Sequence, residues 1–133
     1  MRDCVVALII RDQRILLGRR SPTRDFYPNV WDLFGGHVEP GERQHEALIR
    51  ELGEELDIRP TTWTYLQTVS EPDPERHGAG RYHLYRVTAW EGTPANAQPH
   101  EHVAIRWFTL AEALEVELAH PAYRQLLTRH TQP

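Results

Sequence analysis

Residues 36–58 read GHVEPGERQHEALIRELGEELDI, and this stretch determines the local fold around it. It opens with a turn rich in glycine and proline, and a helical pattern follows over residues 43–56. At about 100° per residue, three leucines fall on one stripe of this helix and three glutamates fall on the adjacent arc. The leucines are Leu48, Leu52 and Leu56, and the glutamates are Glu51, Glu54 and Glu55. The sequence therefore predicts a helix with one core face and one carboxylate face.

The crowding of like charge on this helix needs an explanation, because carboxylates three or four residues apart repel one another. The helix contains no lysine, and Arg43 and Arg50 cover only one flank. A solvated surface helix is one interpretation. The other is an oxygen-rich site for a hard cation such as Mg²⁺ or Mn²⁺, because the upstream glycines let backbone carbonyls approach a ligand. The residue types favour the cation site.

The rest of the chain alternates between strand and helix patterns. Branched apolar runs predict strands at 4–10, 14–20, 63–70, 81–90 and 103–108, the first two joined by a tight polar turn. Proline and glycine predict loops at 71–80 and 91–102. Thr109 and Glu112 form a capping-box pattern that predicts a helix over 109–118, and a further helix is predicted over 121–130, with Pro121 in its first turn. These elements predict an α/β fold in which a mixed sheet is flanked by helices.

Length and composition restrict the possible function classes. We expect the 133 residues to form a single domain, 1–133. A net charge of −4 disfavours nucleic acid or an anionic membrane as the main partner. The apolar run 5–10 is too short to span a bilayer. Cys4 is the one cysteine, which excludes an internal disulfide and is consistent with a cytoplasmic location.

The 36–58 stretch is similar to the signature box of the Nudix hydrolases and resembles their MutT-like members. The box reads Gly, five residues, Glu, seven residues, then Arg-Glu-apolar-x-Glu-Glu-x-Gly-apolar. The matching residues are Gly36, Glu42, Arg50, Glu51, Leu52, Glu54, Glu55 and Ile58. Asp57 stands where the family has a glycine in the left-handed conformation, which aspartate also tolerates. Phe34 replaces a proline that often precedes the two glycines.

The resemblance implies a Nudix fold, with a mixed β-sheet between α-helices and the box forming loop–helix–loop. It also implies roles for individual residues. Glu54 and Glu55 would bind the metal with the carbonyl of Gly35, and Glu51 would be a further ligand or the base that activates water. Glu42 and Arg50 would brace the loop against the helix. Glu101, in the loop before the last predicted strand, is another candidate ligand or base.

The implied activity is Mg²⁺-dependent cleavage of a diphosphate linkage in a nucleoside diphosphate derivative, with Mn²⁺ as a possible substitute. The compact length favours a (deoxy)nucleoside triphosphate, hydrolysed to a monophosphate and pyrophosphate. An ADP-ribose or nucleotide-sugar pyrophosphatase is the alternative, and a non-catalytic nucleotide sensor is a third interpretation. The expected partner is thus a small nucleotide, and a homodimer is also possible.

The substrate-binding residues are less clearly marked. Arg19 and Arg20 end the second predicted strand and Arg24 lies in the next loop, where any of them could hold phosphates. Phe34 and the nearby aromatic residues could stack on a base, although core packing is the expected fate of most of them.

Overall fold

The computed structural model describes residues 1–131 as a mixed sheet with helices on both faces. The seven strands are β1 (Arg2–Arg11), β2 (Arg14–Arg20), β3 (Trp31–Asp32), β4 (Phe34–His37), β5 (Arg59–Ser70), β6 (Gly80–Glu91) and β7 (His102–Thr109). The four helices are α1 (Gln44–Leu56), α2 (Pro74–His77), α3 (Leu110–Ala113) and α4 (Tyr123–His130). The predicted α/β fold with a mixed sheet between helices is confirmed.

Strand β1 is at the centre of the sheet. The strand order is β3-β2-β1-β6-β5, while β4 also pairs with β1 and β7 also pairs with β2. The β1–β6 pair is parallel, whereas β1 pairs antiparallel with β4 and β2. The β1–β2 connection is the predicted tight turn, in which Asp12 and Gln13 both have positive φ, 52° and 62°. Positive φ at both central residues matches the right-handed twist of the paired strands.

Alternate side chains of β1 pack on opposite faces of the sheet, as the strand period of two requires. Val5, Ala7 and Ile9 belong to the core beneath α1. Val6 and Leu8 belong to the other core, which α4 covers with Tyr123, Leu126 and Leu127. The sheet is therefore enclosed by one helical layer on each face.

Helix α1 orients its leucine stripe as the sequence predicts. Leu48, Leu52 and Leu56 are fully buried against the sheet. The helix ends at Asp57, whose φ of 57° and ψ of 39° are left-handed. The Asp57 N–H donates to the carbonyl of Gly53 at 3.1 Å, and that of Ile58 donates to the carbonyl of Leu52 at 3.5 Å. Aspartate thus adopts the helix-ending conformation expected of glycine.

The structure corrects three of the predicted segments. The helix predicted over 109–118 has its capping box but covers only Leu110–Ala113. The helix ends early because the backbone at 117–119 pairs with Trp31. The N–H of Trp31 donates to the carbonyl of Glu117, and the N–H of Ala119 donates to the carbonyl of Trp31. Helix α4 begins at Tyr123, so Pro121 lies outside it. The predicted loop 71–80 contains the short helix α2.

In the part of the chain that the structure describes, no helix is long and apolar enough to cross a membrane.

Candidate active site

Two adjacent glycines on β4 bring the helix α1 close to the sheet. A Cβ on Gly35 would lie 1.9 Å from the backbone oxygen of Val5 on the neighbouring strand. A Cβ on Gly36 would lie 2.4 Å from the carboxyl group of Glu51 on α1. Neither distance is possible for a real side chain. A side chain at position 35 would therefore have to displace a strand, whereas one at position 36 would have to displace the Glu51 carboxylate.

Glu42 and Arg50 lie together and fasten the loop to the helix. Arg50 Nε donates to Glu42 Oε2 at 2.8 Å, and Arg50 Nη2 donates to Glu42 Oε1 at 3.0 Å. Nη2 also donates to the carbonyl of His37 at 2.8 Å. The hydrogen bonds from Arg50 lower the pKa of Glu42 to about 2, with help from the Glu39 backbone. The expected brace is thus a two-point contact between one guanidinium and one carboxylate.

The same guanidinium also contacts two of the three glutamates of the acidic face. Arg50 Nη1 is 3.0 Å from Glu51 Oε1 and 3.4 Å from Glu54 Oε2. The Glu51 side chain is 15% exposed, and burial raises its pKa against the opposing effect of Arg50. The Glu54 side chain is 48% exposed, and Glu54 is not among the residues that line the cleft described below. Glu51 is therefore held in place, whereas Glu54 can exchange Arg50 for another cation by changing rotamer.

Glu55 lies apart from Arg50, in a cluster with the half-buried Glu101 and the buried His102. One ligand atom from each of these three residues lies within 4.8 Å of the others. Glu55 Oε2 accepts a hydrogen bond from the N–H of Gly35 at 2.9 Å. Burial raises the pKa of Glu55 well above its usual value, and the charges of Glu51 and Glu101 raise it further. The cluster thus concentrates negative charge in a poorly solvated place.

His102 completes this cluster and was missed in the sequence. It is 3% exposed and its ring packs on that of Phe34, with centroids 5.0 Å apart. Burial, and then the charges of Arg20 and Arg24, lower its pKa to about 4, so the imidazole is neutral at neutral pH. Its position directly after Glu101 was the available signal. Its burial follows from the inward orientation at the start of β7, which the local pattern does not reveal.

The donor set of the cluster suits a divalent cation. The two carboxylates are ligands for Mg²⁺ or Mn²⁺, whereas a neutral imidazole is a ligand that softer transition metals prefer. Within residues 1–131, the buried carboxylate of Glu55 receives a single hydrogen bond, which leaves lone pairs for a metal. A bound cation would also remove the mutual repulsion that raises the pKa of Glu55.

The cluster lies in a cleft of about 230 Å³. The acidic part of its wall consists of Glu51, Glu55, Glu101 and Asp32. The remaining wall is partly apolar, and its aromatic and basic residues include Arg2, Arg24, Phe26, Tyr27, Tyr82 and Tyr123. Burial raises the pKa of Asp32, while the adjacent Arg20 opposes that effect. A cleft with an acidic region next to aromatic and guanidinium groups can hold a metal and a planar, anionic ligand together.

The four weaker substrate-binding candidates fall in different places. Arg20 and Arg24 line the cleft, as expected for phosphate contacts. Arg19 is exposed on β2 and does not line the cleft, so the expectation for it is not supported. Phe34 is 1% exposed and packs in the core under α1, which leaves it no surface on which a base could stack.

Known proteins are similar to this chain along nearly its whole length. The sequence model of the NUDIX domain family matches residues 1–130. The CTP pyrophosphohydrolase of Escherichia coli K12 is 39% identical over 122 residues, which cover 90% of this chain and 84% of that protein. The nucleoside triphosphatase NudI of Salmonella arizonae is 45% identical over 71 residues, covering 48% of this chain and 49% of that protein. The crystal structure of a MutT NUDIX hydrolase from Burkholderia pseudomallei matches with a TM-score of 0.87 and 32% identity, covering 97% of both chains.

Proposed function

Because this chain belongs to the Nudix family of hydrolases, which act on nucleoside diphosphate derivatives, we propose that it hydrolyses a (deoxy)nucleoside triphosphate to the monophosphate and pyrophosphate. The similarity to relatives named CTP pyrophosphohydrolase and nucleoside triphosphatase supports this substrate class. The observation that carries the proposal is the cluster of Glu55, Glu101 and His102 within a cleft that basic and aromatic residues also line.

The proposed metal ligands are Glu54, Glu55 and Glu51 with the carbonyl of Gly35, and the cluster adds Glu101 and His102 as further donors. Mg²⁺ or Mn²⁺ bound there would neutralise phosphate oxygens and lower the pKa of a water molecule. Gly35 fixes the orientation of Glu55 through its N–H, and Arg50 fixes that of Glu51. The protein thus supplies carboxylates that are oriented before a cation binds.

Glu51 and Glu101 are the candidates for the base that takes the proton from water. Arg50 Nη1 already occupies one oxygen of the Glu51 carboxylate at 3.0 Å, so this carboxylate is less free to reach a water molecule even though burial raises its pKa. Within residues 1–131, the carboxylate of Glu101 makes no ion pair. We therefore favour Glu101 as the base. A positioned base contributes about 10²- to 10⁴-fold to a rate, so Glu101→Gln should lower kcat within that range.

Arg24 is the proposed phosphate contact. It lines the cleft, and its side chain makes no hydrogen bond within the described residues 1–131. Arg20 is already bound to the carbonyls of Phe26 and Tyr27 and to Asp32, so it positions the surrounding loop instead. A free guanidinium beside a metal cluster can hold a terminal phosphate while the metal holds the next one.

The test is hydrolysis by the purified protein, with Mg²⁺ or Mn²⁺, of a substrate panel. The panel contains CTP and dCTP, the other nucleoside triphosphates, ADP-ribose, a nucleotide sugar and a dinucleoside polyphosphate, and products are identified by chromatography and phosphorus NMR. We expect a monophosphate and pyrophosphate from a triphosphate, and loss of activity with a chelator. Preferred turnover of ADP-ribose, release of orthophosphate, or nucleotide binding without turnover would refute the proposal.

A further inference from the structure

The loop at residues 22–29, between β2 and β3, forms one side of the cleft. It contributes Arg24, Phe26 and Tyr27 to the lining. Backbone hydrogen bonds join the two ends of the loop. The N–H of Asn29 donates to the carbonyl of Arg20 at 3.1 Å, and the N–H of Arg20 donates to the carbonyl of Val30 at 2.8 Å. The shape of the cleft therefore depends on how this 22–29 loop is held.

The backbone of the 22–29 loop adopts a conformation that ordinary residues disfavour. Tyr27 has a φ of 50° and Asn29 a φ of 66°, both in the left-handed region. A bulky residue such as tyrosine rarely occupies that region unless other contacts hold it there. The loop consequently needs fixed contacts to keep its observed shape.

One such contact is made by Arg20, the last residue of β2. Its Nη2 donates to the carbonyl of Phe26 at 2.7 Å, and its Nε donates to the carbonyl of Tyr27 at 3.0 Å. Asp32 accepts from Nη1 at 3.2 Å and so fixes the guanidinium. Arg20 thus binds the loop backbone to the strands that carry it.

The second contact is made by Glu71, the residue that directly follows β5. The Glu71 side chain is completely buried. Its carboxylate accepts from the Tyr27 hydroxyl at 2.5 Å, the Tyr82 hydroxyl at 2.8 Å and the N–H of Asp73 at 2.9 Å, and Arg2 Nη2 lies at 3.4 Å. Burial alone would raise the pKa of Glu71, but the hydrogen bonds from Tyr27, Asp73 and Tyr82 hold it below its usual value. A charged carboxylate with donors from several separate segments is a rigid attachment point.

Aromatic packing reinforces this attachment. The ring of His77, in α2, lies 4.5 Å from that of Phe26 and 4.8 Å from that of Tyr27. Arg2 lies over the Phe26 ring at 5.3 Å. The 22–29 loop is therefore bound to the 71–77 segment by one charged hydrogen bond and two ring contacts, and its own residues in these contacts, Phe26 and Tyr27, line the cleft.

We propose that Glu71 is a positioning residue that fixes the substrate-binding wall of the cleft by holding the 22–29 loop through the hydroxyl of Tyr27. The proposal rests on the proposed function for its effect on catalysis. Glu71 acts through Tyr27 and touches neither the carboxylate cluster nor Arg50. Its loss therefore weakens substrate binding and leaves the chemical step intact.

Tyr27→Phe tests this proposal, because it removes one hydroxyl and keeps the ring contacts with His77. Tyr82→Phe is the matched control, because it removes a hydroxyl that donates to the same carboxylate from strand β6 and leaves the hydrogen bond between Tyr27 and Glu71 in place. Hydrogen exchange of the 22–29 amides and tryptic cleavage after Arg24 measure how often the loop opens. We expect exchange at least about tenfold faster in Tyr27→Phe, since a buried hydrogen bond to a charged group is lost, and exchange within about twofold of wild type in Tyr82→Phe.

Steady-state kinetics then connects the loop to binding. We expect KM for the triphosphate to rise at least about fivefold in Tyr27→Phe, with kcat within about twofold, because ground-state contacts are weakened without loss of catalytic groups. Equal loop protection in the two variants would overturn the proposal, and so would an opened loop with unchanged KM. The exchange measurement needs no substrate, so it judges the attachment even if the proposed hydrolysis fails. Active enzyme with a loop unaffected by Tyr27→Phe would refute the attachment alone.

Discussion

Gly36→Ala should separate activity from stability, because the added methyl group meets only a side chain. The new Cβ would lie 2.4 Å from the Glu51 carboxyl group, whereas ordinary contact begins at 3.4 Å. The carboxylate must therefore move by about 1 Å. The φ of Gly36 lies outside the left-handed region, so alanine fits the backbone itself.

The two effects of this movement differ in size. The Glu51 carboxylate can turn aside at the cost of its contact with Arg50, and alanine offsets part of that cost by reducing the entropy of the unfolded chain, so the free energy of unfolding should change by less than about 1 kcal/mol. Misplacing a catalytic or ligating group by about 1 Å can lower a rate by roughly 10²-fold. We therefore expect kcat to fall about a hundredfold while the thermal midpoint moves by less than about 4 °C.

Steady-state hydrolysis and calorimetry of one preparation measure both quantities. Gly53→Ala is the matched control, since its nearest neighbouring atom would be 3.8 Å away, and it should stabilise the helix by about 0.5–1 kcal/mol with full activity. Gly35→Ala gives the opposite result to Gly36→Ala, because its Cβ would strike the Val5 backbone and force β4 from β1, at a cost of about 3 kcal/mol. Wild-type kcat in Gly36→Ala would refute the argument that Glu51 must occupy its observed position.

Three further predictions concern helix α1 and the residues that flank its two ends. Glu54→Gln should abolish turnover and leave the thermal midpoint within about 2 °C of wild type, since this side chain is half exposed. Glu115→Gln, at an exposed glutamate outside the cleft, is the control. Full activity in Glu54→Gln would disprove the ligand assignment. Asp57→Gly should raise the thermal midpoint by about 3 °C, because glycine relieves the left-handed strain and removes a negative charge from a helix C-terminus; an unchanged or lower midpoint contradicts this. Glu42→Gln should destabilise the protein at neutral pH. The pKa of Glu42 in the folded protein is lowered to about 2, so the stability that its charge contributes is present above its ordinary pKa of 4.5 and is lost as the pH falls from there towards 2. The difference in urea midpoint between wild type and variant should therefore be smaller at pH 3 than at neutral pH. A difference that does not depend on pH would show that Arg50 is not its source.

Local patterns were sufficient to predict five of the seven strands that residues 1–131 form and the central helix, but not the short strands β3 and β4. The leucine stripe of α1 and the alternation along β1 are direct consequences of backbone geometry, so they are readable without the fold. The left-handed Asp57 was predictable because its position in the 36–58 stretch demands that conformation. The short α3 was not predictable, because its length is set by backbone pairing between Trp31 and residues 117–119, which are distant in sequence.

Most of the candidate site residues that could be predicted share the 36–58 segment, and Glu101 is the exception. Glu42 and Arg50 were paired through the resemblance to the Nudix box. His102 becomes relevant only when the fold brings it to Glu55, and Glu71 only when the fold brings it to Tyr27. Phe34 was misjudged because adjacent positions on β4 face opposite directions, and burial cannot be read from a short strand. The single domain over 1–133, the cytoplasmic location and the homodimer stay predictions.

The central strand β1 gives the molecule strong thermodynamic cooperativity. Its side chains enter both packed layers, and its backbone is bonded to β2, β4 and β6 at once. Neither layer can melt without exposing the apolar residues of the other, so heating should produce a single calorimetric transition. Free energy gained when a nucleotide or cation binds beside α1 would accordingly protect α4, on the opposite face, to the same degree.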